Sequence, residues 1–116
     1  MADLSIFSLE GKNAWITGAS YGIGFNIAKA FAEAGANMIV FNDISEEAMQ
    51  RGLENYKAAG IENVKGYVCD VTDEAAVNAM VADIEATVGV IDVLVNNAGV
   101  MDEFKPITEV EDEQCE

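Results

Sequence analysis

The apolar residues of this 116-residue chain follow two alternating patterns. Short runs of mostly apolar residues occupy positions 13–17, 38–42, 64–69 and 91–95, and between them apolar residues recur every three or four positions. A short continuous run is typical of a strand buried on both faces, and the second spacing is typical of a helix. The chain therefore predicts four strands separated by three helices.

The first predicted helix follows a glycine-rich segment and begins at Gly22. Gly35 is expected to end it in a left-handed conformation, which glycine adopts without steric penalty. Its expected buried face carries apolar residues at helical spacing, namely Ile23, Ile27, Ala30, Phe31 and Ala34.

The next two predicted helices start with polar residues that can bond to free backbone N–H groups. Ser45 is expected to cap the second helix, with two glutamates in its first turn, and this helix should end near Gly60. Thr72 is expected to cap the third helix, which Gly89 should end. The third helix carries an apolar stripe that predicts core packing, formed by Val77, Met80, Val81, Ile84 and Val88.

Alternating strands and helices predict an α/β fold with a mainly parallel sheet, right-handed crossovers and helices on both faces. We expect a Rossmann-type, doubly wound sheet with about four strands. Thr108 and Glu111 have the spacing of a capping box and predict a further helix from near Glu109. Because the sequence stops at Glu116, about two helical turns later, we expect residues 1–116 to be the N-terminal part of a longer domain.

Composition narrows the class of protein and its partners. The chain is 51% hydrophobic, yet no apolar run approaches the roughly 20 residues of a membrane span. Its start lacks the basic residues and the apolar stretch of a secretory signal, so we expect a soluble, cytoplasmic protein. The formal net charge of −15 argues against nucleic acid or an anionic membrane as a partner.

The chain has two cysteines, Cys69 and Cys115, and no histidine. Two isolated thiols in such a chain are more often a buried small residue and a surface thiol than a disulfide. Without histidine or closely paired cysteines, a zinc site is not expected.

The segment at positions 13–24 carries the first candidate chemistry. Gly18 can make a tight turn after the strand, Gly22 can let the backbone approach a pyrophosphate, and Gly24 can let the helix pack against the strand. The first N–H groups of that helix and its positive dipole end would then bind an anion. The segment predicts a phosphate-binding turn.

Asp43, at the end of the second strand, is the candidate that would select the cofactor. A carboxylate at this place accepts hydrogen bonds from the adenosine ribose diol. It would also repel a 2′-phosphate, and no Arg or Lys adjoins it, so NAD is favoured over NADP. Two alternatives stay open: Asp43 only caps the following helix, or Asn42 is the selector.

Two further pairs end the third and fourth strands, where ligands of open α/β sheets bind. Asp70 and Val71 would line the adenine side of the cleft, although Asp70 would be as plausible as a cap of the third helix. Of the amides Asn96 and Asn97, a structural role is favoured for Asn96, and Asn97 is the better ligand candidate.

At these residues the chain resembles the short-chain dehydrogenase/reductase family. The four marks of that family stand here in order: the TGxxxGxG motif at positions 17–24, the acidic selector Asp43, the pair Asp70 and Val71, and Asn-Asn-Ala-Gly at positions 96–99. Within the family, segments 20–25, 40–44 and 66–73 are most similar to bacterial dehydrogenases of sugar acids such as gluconate.

The resemblance implies NAD(P)-dependent oxidation of an alcohol or reduction of a ketone, with a small-molecule substrate and a homo-oligomer when full length. Within the family, the neutral Tyr21 before the second glycine fits NAD better than NADP. Asp43 would bind the ribose, Asp70 and Val71 the adenine, and Asn97 would lie near the central ribose. The pyrophosphate would be surrounded by Gly18, Ser20, Tyr21, Gly22, Ile23 and Gly24.

The family's catalytic Asn, Ser, Tyr and Lys all lie beyond the equivalent of Glu116, so no catalytic residue is assigned in this chain. Four positions after Tyr21, Tyr56 and Tyr67, where the family has its lysine, the chain has Phe, Gly and Val. The alternative function is therefore a non-catalytic nucleotide-binding or interaction module. An apolar fourth strand left at the edge of the sheet would favour it.

Overall fold

The computed structural model describes residues 8–97. Strands and helices alternate along the described chain, in the order β1 (Asn13–Thr17), α1 (Gly22–Glu33), β2 (Met38–Asp43), α2 (Glu46–Ala58), β3 (Val64–Val68), α3 (Glu74–Thr87) and β4 (Val93–Val95). The predicted capping box at Thr108 and Glu111, and the helix after it, lie outside the described residues.

The strands form one four-stranded sheet in the order β3-β2-β1-β4, and every neighbouring pair is parallel. The chain therefore has the predicted Rossmann-type fold. The strand order reverses between β1 and β4, and ligands of such sheets bind beside this reversal, outside the carboxyl ends of the strands.

Alternate residues of the central strands supply the two cores. Ala14 and Ile16 face α1 and α2, whereas Trp15 faces α3, because successive side chains of a strand point to opposite faces. Every residue of β1 is buried, which explains why its three central residues are apolar. Helices cover both faces, as predicted. None of the helices between residues 8 and 97 is long and apolar enough to span a membrane.

The predicted buried face of α1 is wrong in part. Ile23 is 59% exposed and Ala30 is also exposed, while Gly24 and Ala28 are the buried residues of this helix. The close approach of Gly24 to the preceding turn rotates the helix toward Gly24 and Ala28, so Ile23 points away from the core.

The other helix signals were mostly correct. The Oγ atom of Ser45 accepts a hydrogen bond from the N–H of Ala48 at 3.1 Å, as a cap of α2 should. The predicted apolar stripe of α3 packs against Trp15 and Val40. The predicted cap Thr72 is wrong, because the carboxylate of Asp73 accepts from the N–H of Ala76 and caps α3 instead.

Candidate functional site

A cleft of about 580 Å³ lies at the carboxyl edge of the sheet. Its lining comes from the segments that follow β1, β2, β3 and β4, and consists of Gly18, Tyr21, Gly22, Ile23, Asp43, Ile44, Asp70, Val71, Thr72 and Asn97. Among the predicted cofactor-binding residues, Ser20 and Gly24 do not line it. Ile44 and Thr72 were missed by the sequence reasoning, although their position beside Asp43 and Val71 was a usable signal.

The glycine turn has the conformation that its residues predict. Gly18 has φ of +62° and Gly22 has φ of +68°, a left-handed region that residues with a Cβ rarely adopt. Apart from its neighbours along the chain, no described residue has an atom within 4 Å of the place where a Cβ of Gly22 would be. The surface at Gly22 is therefore open to a ligand that approaches the backbone.

Gly24 has a structural role, because it lies where helix α1 packs against the glycine turn. A Cβ at this position would lie 2.5 Å from Nδ2 of Asn97 and 2.9 Å from the carbonyl oxygen of Gly18. Only glycine permits this approach without displacing the turn. Gly24 is thus a packing residue beneath the cleft, as the motif predicted.

The N-terminus of α1 opens at this turn without a cap. Tyr21 occupies the N-cap position with an extended backbone, and its side chain makes no capping hydrogen bond. The first turn carries no acidic residue. The first N–H groups of a helix have no acceptor within the helix, so this end of α1 presents donors and the positive end of the helix dipole to an anion.

Ser20 lies under the turn and is fully buried. Within residues 8–97, its Oγ atom has no hydrogen-bond partner. A buried hydroxyl without a partner is rare in folded proteins and asks for an explanation such as an absent ligand or water. The open surface at Gly22 and the uncapped helix fit a pyrophosphate at the turn, whereas the buried Ser20 hydroxyl does not line the cleft.

Asp43 and Asn42 have distinct surroundings, which separates the two candidate selectors. Asn42 is only 2% exposed; its Oδ1 accepts from Nε1 of Trp15 at 2.8 Å, and its Nδ2 donates to the carbonyl oxygen of Cys69 at 3.0 Å. Both ends of this amide are therefore occupied inside the protein. Asp43 lines the cleft instead, and its Oδ1 accepts from the N–H of Ile44.

The alternative roles as helix caps fail for both aspartates. Ser45 caps α2, so Asp43 does not, and Asp73 caps α3, so Asp70 does not. The Oδ1 atom of Asp70 accepts from the N–H of Thr72 at 2.9 Å and from its hydroxyl at 2.7 Å. These two hydrogen bonds hold the pKa of the Asp70 carboxyl below its usual value.

Asn97 joins β4 to the glycine turn. Its N–H donates to Oγ1 of Thr17 at 2.8 Å, and its Nδ2 donates to the carbonyl oxygen of Gly18 at 3.1 Å. The side chain thus holds the turn in place, and contact with a cofactor stays a prediction. The neighbouring Asn96 is exposed, and its Oδ1 accepts from Oγ1 of Thr17 at 3.3 Å. Ala98 and Gly99 of the motif lie outside the described residues.

The cleft exposes apolar side chains next to its carboxylates. Ile44 is 71% exposed, and Tyr21, Ile23 and Val71 are exposed as well. Large apolar side chains that line a groove mark a surface that a ligand covers. Among the described residues that line the cleft, none is Lys or Arg. The arrangement therefore suits a ligand with one anionic part at the turn and a flat apolar part near Val71.

Comparison with known proteins defines the class. The family model for short chain dehydrogenase matches residues 12–116, and the chain belongs to this family.

The most similar relatives include enzymes of sugar acids. The chain is 38% identical over 108 residues to 2-dehydro-3-deoxy-D-gluconate 5-dehydrogenase of Formosa agariphila, which covers 93% of this chain and 40% of that protein. It is 42% identical over 100 residues to gluconate 5-dehydrogenase of Gluconobacter oxydans, which covers 86% of this chain and 38% of that protein. The chain thus spans about two fifths of the length of these relatives.

Solved structures agree with these relatives. A 2-keto-3-deoxy-D-gluconate dehydrogenase from Streptococcus agalactiae is 62% identical, with a TM-score of 0.76 over 81% of this chain and 35% of its own. A gluconate 5-dehydrogenase from Burkholderia cenocepacia, in complex with NADP and tartrate, is 42% identical, with a TM-score of 0.70 over 81% of this chain and 36% of its own. The resemblance inferred from the motifs is confirmed.

Proposed function

We propose that this chain is the cofactor-binding part of an NAD-dependent oxidoreductase that acts on a sugar acid. One observation carries the proposal: the uncapped N-terminus of α1 and the carboxylate of Asp43 border the same cleft. A dinucleotide needs these two features together, since its pyrophosphate binds helix N–H groups and its ribose diol binds a carboxylate.

Each predicted residue has a place in this proposal. The backbone of the turn from Gly18 to Gly24, with Ser20, Tyr21 and Ile23, would surround the pyrophosphate. Asp43 would accept hydrogen bonds from the adenosine ribose, and Val71 and Asp70 would border the adenine. Asn97 would hold the turn near the central ribose. The nicotinamide of the bound cofactor would supply the hydride acceptor.

NAD is proposed over NADP on electrostatic grounds. A 2′-phosphate next to Asp43 would meet a like charge, and between residues 8 and 97 no basic side chain lines the cleft to offset it. The 42% identical relative from Burkholderia cenocepacia binds NADP in its crystal, and the two cofactors are therefore compared directly on this chain.

Calorimetric titration of the chain with NAD and, separately, with NADP tests this preference. We expect tighter binding of NAD than of NADP. Asp43→Asn should weaken NAD about tenfold, a change of roughly 1.4 kcal/mol, and should narrow the difference between the two cofactors. Glu62→Gln, an exposed acid that precedes β3 at the opposite edge of the sheet, is the matched control. Equal affinities of the unaltered chain for NAD and NADP would contradict the proposal.

The substrate class follows from the relatives, whose names specify gluconate and its 2-dehydro-3-deoxy derivative. We propose that residues 1–116 are the N-terminal part of a longer domain that acts in the cytoplasm as a homo-oligomer. By itself the chain should bind NAD weakly and reduce no ketone, because no tyrosine in it is followed four residues later by lysine. Measurable reduction of 5-ketogluconate by the purified chain would contradict this.

A second candidate function is a nucleotide-binding or interaction module without catalysis. Within residues 8–97, β4 pairs with β1 alone, and Leu94 on this strand is 58% exposed. An apolar edge strand is a surface that recruits other chains. Concentration-dependent association in light scattering favours this candidate, and a stable monomer counts against it.

A further inference from the structure

Helix α2 contacts the glycine turn from within the fold. Gly52 makes this approach possible, because a Cβ at its position would lie 2.9 Å from both Cα and Cβ of Ser20 and 2.8 Å from the ring of Phe41. Residues three and four positions further along a helix lie on the same face. Asn55 and Tyr56 follow Gly52 at this spacing, so the same face of α2 also presents them to the turn.

Both of these side chains donate to carbonyl groups of the turn. The hydroxyl of Tyr56 donates to the carbonyl oxygen of Ala19 at 2.6 Å, and Nδ2 of Asn55 donates to the carbonyl oxygen of Ser20 at 2.9 Å. Side chains of one helix thereby hold two consecutive peptide groups of the turn. Both hydrogen-bond donors come from outside the TGxxxGxG motif.

Tyr56 is suited to act as a fixed donor. Its side chain is fully buried, and the rings of Phe25 and Phe41 lie 4.8 Å and 5.0 Å from its own ring. Burial raises the pKa of this phenol, so the hydroxyl keeps its proton throughout the neutral range. The two packed rings restrict the movement of Tyr56, so its hydroxyl stays bonded to Ala19.

Holding a carbonyl also sets the direction of the next N–H group. The peptide group is planar, and in its trans form the N–H points opposite to the C=O. The carbonyl of Ala19 points to Tyr56, so the N–H of Ser20 points away from α2. The carbonyl of Ser20 points to Asn55, so the N–H of Tyr21 also points away from α2.

We propose that Asn55 and Tyr56 are positioning residues that orient the Ser20 and Tyr21 amides for a ligand diphosphate. This inference rests on the proposed function, since it concerns the same pyrophosphate site. Neither side chain lines the cleft, so their effect on a ligand would pass through the turn. The adenosine side of the cleft, at Asp43 and Val71, would not depend on them.

Two ligands separate this role from a general effect on folding. ADP carries the diphosphate, whereas adenosine offers only the base and the ribose. We expect Tyr56→Phe and Asn55→Ala each to weaken ADP about five- to tenfold and to leave the affinity for adenosine unchanged, measured by NMR titration of the 116-residue chain. Tyr67→Phe is the matched control, because it removes a hydroxyl that bonds Asp83 and not the turn.

The outcomes are distinct. An unchanged affinity for ADP, or an equal loss for ADP and adenosine, would overturn the positioning role while the proposed function stands. Failure of the unaltered chain to bind ADP or NAD would remove the proposed function and this inference with it. If Tyr56→Phe does not fold, Asn55→Ala carries the test, since Asn55 is only half-buried. In either variant the amide signals of Ser20 and Tyr21 should shift before ligand is added.

Discussion

The N-termini of α1 and α2 both lie at the carboxyl ends of the parallel strands, but they are capped differently. At α2 the Oγ atom of Ser45 bonds to a free N–H, and Glu46 and Glu47 occupy the first turn. At α1 the cap position holds Tyr21 with no capping bond, and the first turn holds no acid. A side chain of the protein therefore caps the end of α2, whereas the end of α1 has no side-chain cap.

This difference between the two helix ends supports the proposed phosphate site at α1. Both helices follow a parallel strand and have the same positive dipole end. A carboxylate near that end stabilises the helix by roughly 0.3–1 kcal/mol but occupies the place of an external anion. The end of α1 lacks that local stabilisation, and in the proposed function its N–H groups would bind the phosphates instead.

The largest expected effect comes from closing the open surface at Gly22. Gly22→Val adds a branched side chain where the backbone has φ of +68° and where, beyond its chain neighbours, no described residue lies within 4 Å of the Cβ position. We expect the affinity for NAD to fall on the order of 100-fold, about 2.7 kcal/mol, in calorimetric titration. Gly60→Val is the matched control, since Gly60 also has a positive φ and open space but lies at the end of α2. A similar loss of NAD affinity in both variants would argue against pyrophosphate binding at the glycine turn.

A smaller loss of NAD affinity is expected when α1 is given a side-chain N-cap like that of α2. Tyr21→Asp places a carboxylate at the N-cap of α1, where it can bond to a free N–H. We expect the free energy of unfolding to rise by about 0.5–1 kcal/mol, and the affinity for NAD to fall about tenfold. Tyr21→Asn, which caps without charge, should separate the two contributions. A variant that binds NAD as well as the original chain would refute an anion site at this end.

The smallest effect is expected at α2. Ser45→Ala removes the cap, which should lower the free energy of unfolding by about 1 kcal/mol in urea denaturation. The affinity for NAD should not change, since Ser45 does not line the cleft. Thr at the same position should restore most of the stability. Loss of NAD affinity in Ser45→Ala would mean that the ends of the two helices are not independent.

Local signals predicted much of the fold. The bounds of β1, the cap at Ser45 and the left-handed Gly35, with φ of +95°, all follow from short-range chemistry. Such features depend on a few consecutive residues, so their physical cause is visible in the sequence. The prediction of Thr72 as a cap failed because two neighbouring residues can cap a helix. The hydroxyl of Thr72 donates to Asp70, which leaves Asp73 as the cap.

The candidate site was likewise predicted in part from local sequence and decided in part by the tertiary structure. The glycine turn, Asp43 and Asp70 were found from their places after strands, since parallel strands bring their carboxyl ends to one edge. Sequence alone could not choose between Asn42 and Asp43. Only the packing of Trp15 and the carbonyl of Cys69 around Asn42 shows that its amide is occupied inside the fold.

The sequence by itself determined the order of strands and helices, the residues that end them and the glycine turn, because each depends on neighbours along the chain. The tertiary structure alone decided which face of α1 is buried, which of two adjacent side chains reaches the cleft, and that Asn55 and Tyr56 hold the turn. These outcomes depend on atoms that are far apart in sequence, so no local pattern contains them.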